Sequence, residues 1–484
     1  MRLVTKALCC CVALSCVSLA AAPAAEITAE TIKQRDVPGG YTVVVSKGTL
    51  DDPQWGPVAK ALAHKYRAKI VVYQADVSEA AGPLREAFDR YACFVARPEE
   101  AGREYVIRVH RLTRKLDEDP YTDVLWGILT GCRPDDAMRI VAADGPLIVR
   151  KAAAGTGIDL TLFDEGVWYS EGEKNAYFEK KRGGEVEKKK GPDDTTKALV
   201  DVLNVYRPDL FVTSGHATDR DWQIGYSYAN GQFRCKDGVL FGVDLKRHGY
   251  PIRSPNPKVY LPAGNCLMGR IRDKQSMALA WLGSGGVNQM IGYVVSTWYG
   301  RGGWGTRDYF FAEPGRYTLS EAFYFNNQAI VHQLETRFPK TARAELNSWD
   351  IERDRRLLGR LAASLGYRGA DPKVKDNLGL LWDRDTVAFY GDPAWEARLA
   401  PRKLPTSQKL TVRNGRYTLQ ITAEEDYQSA RPPAVLLPHR VQNVRLVHGE
   451  QLAPLITDNF IMLTDPGKFE KGKTYRVVFL AKEI

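Results

Sequence analysis

Two apolar runs in the middle of the chain each lead into a residue that can take part in nucleophilic chemistry. The run at 210–213 is followed by His216, and the run at 259–261 is followed by Cys266. A cysteine thiolate attacks carbonyl carbon, and a nearby imidazole can lower the pKa of a thiol and later protonate a leaving amine. The two residues therefore predict covalent catalysis by a cysteine and a histidine.

Short strands are the elements that must position these two side chains. A short apolar run between turn residues is typical of a buried strand in a parallel sheet, and such sheets bind ligands beyond the carboxyl ends of their strands. We therefore expect His216 and Cys266 to lie on one edge of a sheet. The residues alone leave two alternatives open, a cysteine packed as a small hydrophobic residue and a histidine with a structural role.

Four segments, in the same order along the chain, resemble the gingipain-like cysteine peptidases of clan CD, which have the caspase-like fold. The first two resemble the surroundings of the family's catalytic histidine and cysteine, the third its strand and specificity loop, and the fourth its Gly-Asp-Pro segment. The segments are FVTSGHATDRDW at 211–222, VYLPAGNCLMG at 259–269, VNQMIGYVVSTWYGRGGW at 287–304 and DTVAFYGDPAWEARL at 385–399. The resemblance implies a cysteine endopeptidase with an α/β, caspase-like catalytic region.

The chain departs from the family pattern at two positions. Ala217 follows the histidine, where the family usually has glycine, and Asn265 precedes the cysteine, where the family usually has alanine-like residues. The resemblance implies that backbone N–H groups of Gly215, Ala217 and Cys266 hold the oxyanion, and a backbone donor survives the change from glycine to alanine. The departures keep open an alternative, a catalytically inactive caspase-like binding protein of the cell envelope.

The resemblance also implies an acid that steadies the histidine and a pocket for the residue before the cut. Glu165 lies where the family places that acid. Trp298 and Trp304 would form the walls of the pocket, and Glu171 or Glu173 its acidic end. Cleavage after Arg or Lys is the expected specificity, because an indole face stabilises a cation. Each of these acids could also be a solvated surface group.

Residues 1–25 have the three-part pattern of a cleaved secretory signal peptide, with two basic residues, an apolar run and a row of small residues. Cleavage near Ala25 predicts a secreted, periplasmic or cell-envelope protein. A lipid anchor at Cys16 fits less well, because the apolar run continues past it. No other stretch reaches the ~18 apolar residues of a membrane helix, so we expect no stable membrane insertion.

The chain without that segment keeps four cysteines, and its formal net charge falls from +10 to +8, because the segment holds two basic and no acidic residues. The wide spacing of Cys93, Cys132, Cys235 and Cys266 argues against a disulfide framework or a zinc site. At most one bridge can form if Cys266 is free. No basic stripe interleaved with aromatic residues is present, so protein or peptide substrates, and not nucleic acid, are the expected partners.

No cofactor or catalytic metal is expected for this chemistry. Calcium as a structural ion stays open, because some members of the resembling family bind it, although no acidic loop of recognised ligand spacing is present.

The length and the hydrophobic content of 44% predict two or three domains. Residues 41–150 alternate strands and helices, which predicts a parallel-sheet α/β subdomain. The resemblance implies that residues 151–400 form the caspase-like catalytic subdomain. Residues 405–484 carry five or six short strands and an Asn-Gly turn signal at 414–415, which predict a small immunoglobulin-like β-sandwich.

Five segments within these domains are predicted from their local pattern alone. Apolar runs favour strands at 105–109 and 158–163, glycine content favours a loop at 298–306, and charge favours a solvated loop at 179–194 and a solvated acidic turn at 119–123.

Overall fold

The computed structural model of the protein describes residues 31–345, 356–367 and 372–484, without the side chains of 372–375. The predicted signal segment 1–25 lies outside the described residues. Within the described ranges, none of the helices combines the length and the hydropathy needed to cross a membrane.

Strands and helices alternate up to residue 150. The strands are β1 (Tyr41–Ser46), β2 (Lys69–Tyr73), β3 (Tyr91–Val95), β4 (Leu125–Leu129) and β5 (Leu147–Val149). The helices are α1 (Lys47–Asp51), α2 (Gly56–Tyr66), α3 (Ala81–Ala87), α4 (Arg103–Thr113) and α5 (Pro134–Ala142). The first four strands pair in parallel, as the alternation predicted.

The chain then forms a longer series of elements up to residue 400. The strands are β6 (Lys151–Ala154), β7 (Glu165–Tyr169), β8 (Ala176–Lys180), β9 (Val186–Lys190), β10 (Leu210–Thr213), β11 (Asp221–Gln223), β12 (Gln232–Lys236), β13 (Val239–Val243), β14 (Gly249–Ile252), β15 (Lys258–Pro262), β16 (Val287–Tyr293), β17 (Val387–Gly391) and β18 (Ala397–Leu399). The helices are α6 (Thr196–Asp201), α7 (Met277–Leu282), α8 (Arg301–Ala312), α9 (Leu319–Arg337), α10 (Pro339–Ala342), α11 (Arg356–Ser364) and α12 (Pro372–Arg384).

The C-terminal part consists of β strands in two antiparallel sheets around a core of their own. The strands are β19 (Thr406–Arg413), β20 (Arg416–Ala423), β21 (Ala434–Leu436), β22 (Val441–His448), β23 (Pro454–Ile456), β24 (Phe460–Leu463) and β25 (Thr474–Glu483). The hairpin of β19 and β20 turns at Asn414 and Gly415, which have φ values of 49° and 72°. This left-handed pair is the turn that the Asn-Gly sequence predicted. An immunoglobulin topology for these strands stays a prediction.

One large mixed sheet joins the two α/β halves. Its twelve strands follow the order β2-β1-β3-β4-β17-β16-β15-β10-β6-β7-β8-β9. Pairing is parallel from β16 to β7, whereas β17 runs antiparallel to β16 and parallel to β4. The mixed α/β architecture with a parallel-dominated sheet is consistent with a caspase-like fold.

Burial explains which runs became central strands. Every residue of β1, β15 and β16 is buried, and apolar residues predominate in each, as central parallel strands require, although β16 also buries Asn288 and Gln289. The sheet ends at β9, whose exposed sequence VEKKK presents lysines that discourage pairing with a further strand. The predicted solvated loop at 179–194 is therefore wrong in part, because β8 and β9 form a hairpin there.

Two strand predictions are also wrong. Residues 105–109 lie in α4, since a short apolar run does not by itself distinguish a strand from a buried helix. Residues 158–163 contain a short 3-10 turn, and the neighbouring strand is β6, whose sequence is KAAA. Alanine has low strand propensity, so β6 owes its conformation to its pairing partners β10 and β7.

Candidate active site

The strands that precede His216 and Cys266 are neighbours in the sheet. β10 and β15 pair in parallel, with Thr213 opposite Pro262. His216 follows Thr213 by three residues, and Cys266 follows Pro262 by four. The two side chains therefore belong to one edge of the sheet, as the apolar runs predicted.

The histidine loop, residues 214–220, makes a tight turn directly after β10. Gly215 has φ of +85°, a conformation that favours glycine. The indole of the buried Trp222 donates to the carbonyl of Ser214 (2.9 Å), and the backbone N–H of Gln223 donates to the carbonyl of His216 (2.9 Å). His216 itself is exposed. Trp222 and Gln223 belong to β11, the edge strand of the four-stranded sheet β11–β14. This strand therefore anchors the histidine loop.

The cysteine loop, residues 263–276, contacts Thr297, which lies four residues after the end of β16. The backbone N–H of Thr297 donates to the sulfur of Cys266 (N to Sγ 3.2 Å), and its hydroxyl donates to the carbonyl of Asn265 (3.1 Å). The carbonyl oxygen of Thr297 also lies 4.0 Å from this sulfur, so the backbone of Thr297 fixes the position of the thiol. Cys266 is half-buried and therefore partly open to solvent.

The two loops that carry these side chains contain backbone N–H groups without an acceptor in the described part of the chain. The N–H groups of Gly215, His216, Ala217 and Cys266 donate to no acceptor among the residues that the structure describes, whereas the flanking Thr218 and Leu267 donate to backbone carbonyls. Groups of this kind can hold the oxyanion of a tetrahedral intermediate. The three predicted oxyanion donors, Gly215, Ala217 and Cys266, are all in this set.

A salt bridge ties the two loops at their rim. Arg220, four residues after His216, donates to both carboxylate oxygens of Asp273. These hydrogen bonds lower the pKa of Asp273 to about 2. Both side chains are partly exposed, so the pair contributes little to the free energy of folding.

The structure does not bring Glu165 to this edge, which corrects the sequence-based expectation. Glu165 is the first residue of β7, and β7 runs parallel to β10 through β6, so it lies at the opposite end of the sheet from His216. Its carboxylate lies 3.7 Å from the Nζ of Lys151. The error follows from the register, because the sequence pattern placed a strand before Glu165, and the strand instead begins there.

Glu171 is the predicted acid that does lie on the edge. It follows the carboxyl end of β7 and accepts hydrogen bonds from the hydroxyls of Ser214 (2.6 Å) and Thr156 (2.7 Å). A Cβ added at Gly215 would lie 3.5 Å from its Oε2. The side chain of Glu171 therefore packs against the histidine loop at Ser214 and Gly215, a position that we call the floor of this loop. Sequence reasoning missed Ser214 and Thr156, and neither is part of a recognisable spacing pattern.

Glu173 lies apart from this arrangement. It occupies the turn between β7 and β8 and pairs with Lys188 (2.7 Å), and both side chains are exposed. An exposed pair of this kind is a solvated surface feature.

The two predicted pocket tryptophans have different surroundings. Trp304 lies on α8 and packs under Gly264, where an added Cβ would be 3.0 Å from the indole. The guanidinium of Arg307 lies over the Trp304 ring, 4.4 Å from its centroid. Trp298 is 39% exposed and contacts Trp382 edge to face. Trp304 is half-buried, so Trp298 is the more exposed of the two.

The predicted glycine-rich loop at 298–306 is a helix from Arg301 onward. A Cβ at Gly303 would overlap the carbonyl oxygen of Ala263, and a Cβ at Gly305 would overlap the amide of Asn326. The glycines therefore permit close packing of α8 against the end of β15 and against α9. Tertiary contact outweighs their low helix propensity.

Three of the four cysteines within the described residues are poor nucleophiles. All four are free thiols. Burial raises the pKa of Cys93 well above its usual value, raises that of Cys132, and raises that of Cys235 to about 12. The thiolate is therefore disfavoured at these three positions.

A group of acids before β4 could hold a cation. Carboxylate oxygens of Asp117, Asp119 and Asp123 lie within 4.8 Å of one another, and Asp123 is 2% exposed, so the predicted solvated turn is wrong. Burial, with Asp117 as the next cause, raises the pKa of Asp119 to about 7 and that of Asp123 to about 9. Calcium as a structural ion remains an expectation for these oxygen ligands.

The comparisons with known proteins are sparse. No protein-family model matches the chain, and no curated protein matches it. The chain is similar to a solved structure described as "Complex of Porphyromonas gingivalis RgpB pro- and mature domains", with 10% sequence identity, a TM-score of 0.43, and coverage of 92% of this chain and 94% of that chain. Similarity at this level carries no argument about the site, so its chemistry is inferred from the residues of this chain.

Proposed function

We propose that the protein is an exported cysteine endopeptidase that uses Cys266 as its nucleophile and His216 as its general acid and base. The observation that carries the proposal is the arrangement at the ends of β10 and β15. A half-buried thiol with a backbone donor at its sulfur and an exposed imidazole share one sheet edge with unused N–H groups. This combination suits nucleophilic attack on a carbonyl group.

The chemistry proceeds in two stages. His216 takes the thiol proton, Cys266 attacks the scissile carbonyl carbon, and the C–N bond breaks as His216 returns the proton to the leaving amine. Water, activated by His216, then attacks the thioester, which releases the acid and the thiol. Backbone N–H groups of Cys266 and of the 215–217 turn hold the oxyanion in both stages. The cycle needs no cofactor.

The proposed substrates are proteins or peptides with Arg or Lys before the cut. Glu171 on the floor of the histidine loop supplies a negative charge, and the exposed indole of Trp298 supplies a surface for the stem of a basic residue. Trp304 and Glu173 do not enter this proposal, because Arg307 covers the indole and Lys188 pairs with the acid.

A binding protein without turnover is the second candidate. One observation favours it, because the imidazole of His216 makes no hydrogen bond to Cys266 or to any other residue that the structure describes. Catalytic hydrogen bonds often tighten only when substrate binds, so this observation alone does not decide between the two.

Covalent labelling separates the two candidates. The chain from residue 26 onward is incubated with an acyloxymethyl-ketone peptide that ends in Arg, and the adduct is located by mass spectrometry. The endopeptidase requires one adduct, on Cys266, that is lost in Cys266→Ala and strongly slowed in His216→Ala. Cys235→Ala removes another partly exposed thiol and is the matched control, which should label like the wild type. Absence of any adduct on Cys266, in a folded chain, would favour the binding protein.

A further inference from the structure

We infer that Asn265 is a positioning residue that holds His216 in register with Cys266. The inference deepens the proposed function and rests on it. It concerns the residue that departs from the alanine-like pattern of the resembling peptidases.

The amide of Asn265 spans the gap between the two loops. It is fully buried, with 0% of its surface exposed. Its Oδ1 accepts a hydrogen bond from the hydroxyl of Thr213 (2.6 Å), and its Nδ2 donates to the carbonyl of Gly215 (3.0 Å). Both ends of the amide are therefore attached to the strand and turn that lead to the histidine.

The bond to Gly215 acts directly on His216. The carbonyl of Gly215 and the N–H of His216 belong to one planar peptide group, so fixing the oxygen also fixes the plane that carries the histidine. The same bond opposes rotation at Gly215, which is the most permissive position of the turn because it has positive φ.

The other side of Asn265 is fixed as well. Its carbonyl accepts the hydroxyl of Thr297 (3.1 Å), and the N–H of Thr297 donates to the sulfur of the next residue, Cys266 (3.2 Å). The side chain of Asn265 thus contacts the strand and turn that lead to His216. Its backbone carbonyl contacts Thr297, which in turn contacts the sulfur of Cys266. Asn265 therefore connects the histidine loop with the residue that contacts the nucleophile.

Asparagine is suited to this position because it combines an acceptor and a donor at the end of a short side chain. Alanine would offer neither. The carbonyl of Gly215 would lose its donor, and the hydroxyl of Thr213 would keep only its hydrogen bond with the hydroxyl of Tyr260 (2.9 Å). Aspartate would keep the acceptor and lose the donor, and it would bury a charge. The departure from the family pattern therefore has a structural use in this chain.

Asn265→Ala tests the inference. Because a misplacement of 1 Å can cost 10²-fold, we expect kcat to fall by about 100-fold while KM stays within about twofold. The pH profile for alkylation of Cys266 by iodoacetamide should converge on that of His216→Ala. In the His216→Ala background, Asn265→Ala should have no further effect, because it acts through the imidazole.

A matched control distinguishes the loss of His216 positioning from the general effect of removing a buried side-chain amide. Gln289 is also fully buried and donates to the carbonyls of Asp392 (2.7 Å) and Trp395 (2.8 Å), but it lies near the amino end of β16, away from Cys266. Gln289→Ala should lower the midpoint of thermal unfolding and leave the alkylation profile unchanged. If Asn265→Ala does not fold, Thr213→Val removes one of the two amide bonds and should shift the profile in the same direction by less.

The outcomes are distinct. A wild-type alkylation profile and wild-type kcat in folded Asn265→Ala would overturn the inference. If the wild type shows no peptide turnover, but its alkylation depends on both His216 and Asn265, the positioning role stands and the endopeptidase proposal fails. If the wild-type alkylation profile does not depend on His216, both fail together.

Discussion

The phenol ring of Tyr226 stacks on the imidazole of His216, with ring centroids 5.1 Å apart and planes 28° apart. The backbone N–H of Tyr226 donates to the carbonyl of Glu171 (2.6 Å), which attaches the ring to the floor of the histidine loop. Tyr226 is 59% exposed. The imidazole has no hydrogen bond within the described residues, so this stack contributes to the orientation of its ring.

Loss of the stack should reduce catalysis moderately. An aromatic pair contributes about 0.5–1.5 kcal/mol, so Tyr226→Leu should lower kcat by roughly 2- to 10-fold. Tyr226→Phe keeps the stacked ring and should keep kcat. Steady-state kinetics with a fluorogenic peptide measures both variants. Equal kcat for Tyr226→Leu and the wild type would assign the orientation of His216 to another contact.

Removal of either proposed catalytic residue should abolish turnover without unfolding the chain. Cys266→Ala and His216→Ala should each reduce kcat to background, and the double variant should be no worse, because the two residues act as one unit. Circular dichroism and thermal unfolding check the fold. Cleavage of peptides by folded Cys266→Ala would exclude this thiol as the nucleophile.

The two candidate acids should differ in their effect. Glu171→Ala removes the acceptor of the Ser214 and Thr156 hydroxyls under the histidine loop and should lower kcat. Glu165→Gln changes a residue at the opposite end of the sheet and serves as the control, with kcat expected to match the wild type. Measurement of kcat in both variants decides, and a larger loss in Glu165→Gln would reverse the assignment.

Specificity should depend on Trp298 more than on Glu173. With peptides that differ only in the residue before the cut, we expect fastest cleavage after Arg or Lys. Trp298→Ala removes an exposed indole worth about 0.5–2 kcal/mol to a cation and should raise KM for these peptides. Glu173→Gln, which changes a solvated acid paired with Lys188, should not. Faster cleavage after Leu, Ala or Asp would reject the basic preference and leave the peptidase proposal intact.

In calcium-free buffer, the acidic group near β4 should make stability fall as pH rises. The folded-state pKa values of Asp119 (about 7) and Asp123 (about 9) lie above the unfolded value of about 3.9, so the folded state binds more protons. Their contribution is fully present below pH ~4 and is lost as the pH rises through the folded pKa values. Asp117 and Asp458 reinforce the shift at both positions, and Arg440 opposes it.

Neutral variants check this dependence. Asp123→Asn should flatten the decline in the urea midpoint between pH 5 and pH 9, and Asp119→Asn should flatten its lower part. Asp426→Asn is a suitable control, because that exposed acid pairs with Lys468 and hydrogen bonds lower its pKa. A decline of unchanged slope in Asp123→Asn would mean that other groups cause it.

The sequence by itself determined the local elements and the two residues of the proposed dyad. Runs such as 210–213 and 259–261 are apolar enough to be buried on both faces, and turn residues stop each run just before His216 and Cys266. The hairpin at Asn414 and Gly415 is equally local, because both residues accept positive φ. Patterns of this kind need no knowledge of distant partners.

Only the tertiary structure decided which side chains meet at the edge. Glu165 and Glu171 are six residues apart and look alike in sequence, but β7 places one at each end of the sheet, and that depends on where the alanine-rich β6 pairs. Trp304 lies on α8 and is half-buried, because its indole packs against Gly264 and the guanidinium of Arg307 lies over its ring. Asn265 forms hydrogen bonds with Thr213 and Gly215 because β10 lies beside β15. Which strands become neighbours depends on packing between segments that are far apart in the sequence, so the pattern of one segment alone does not give it.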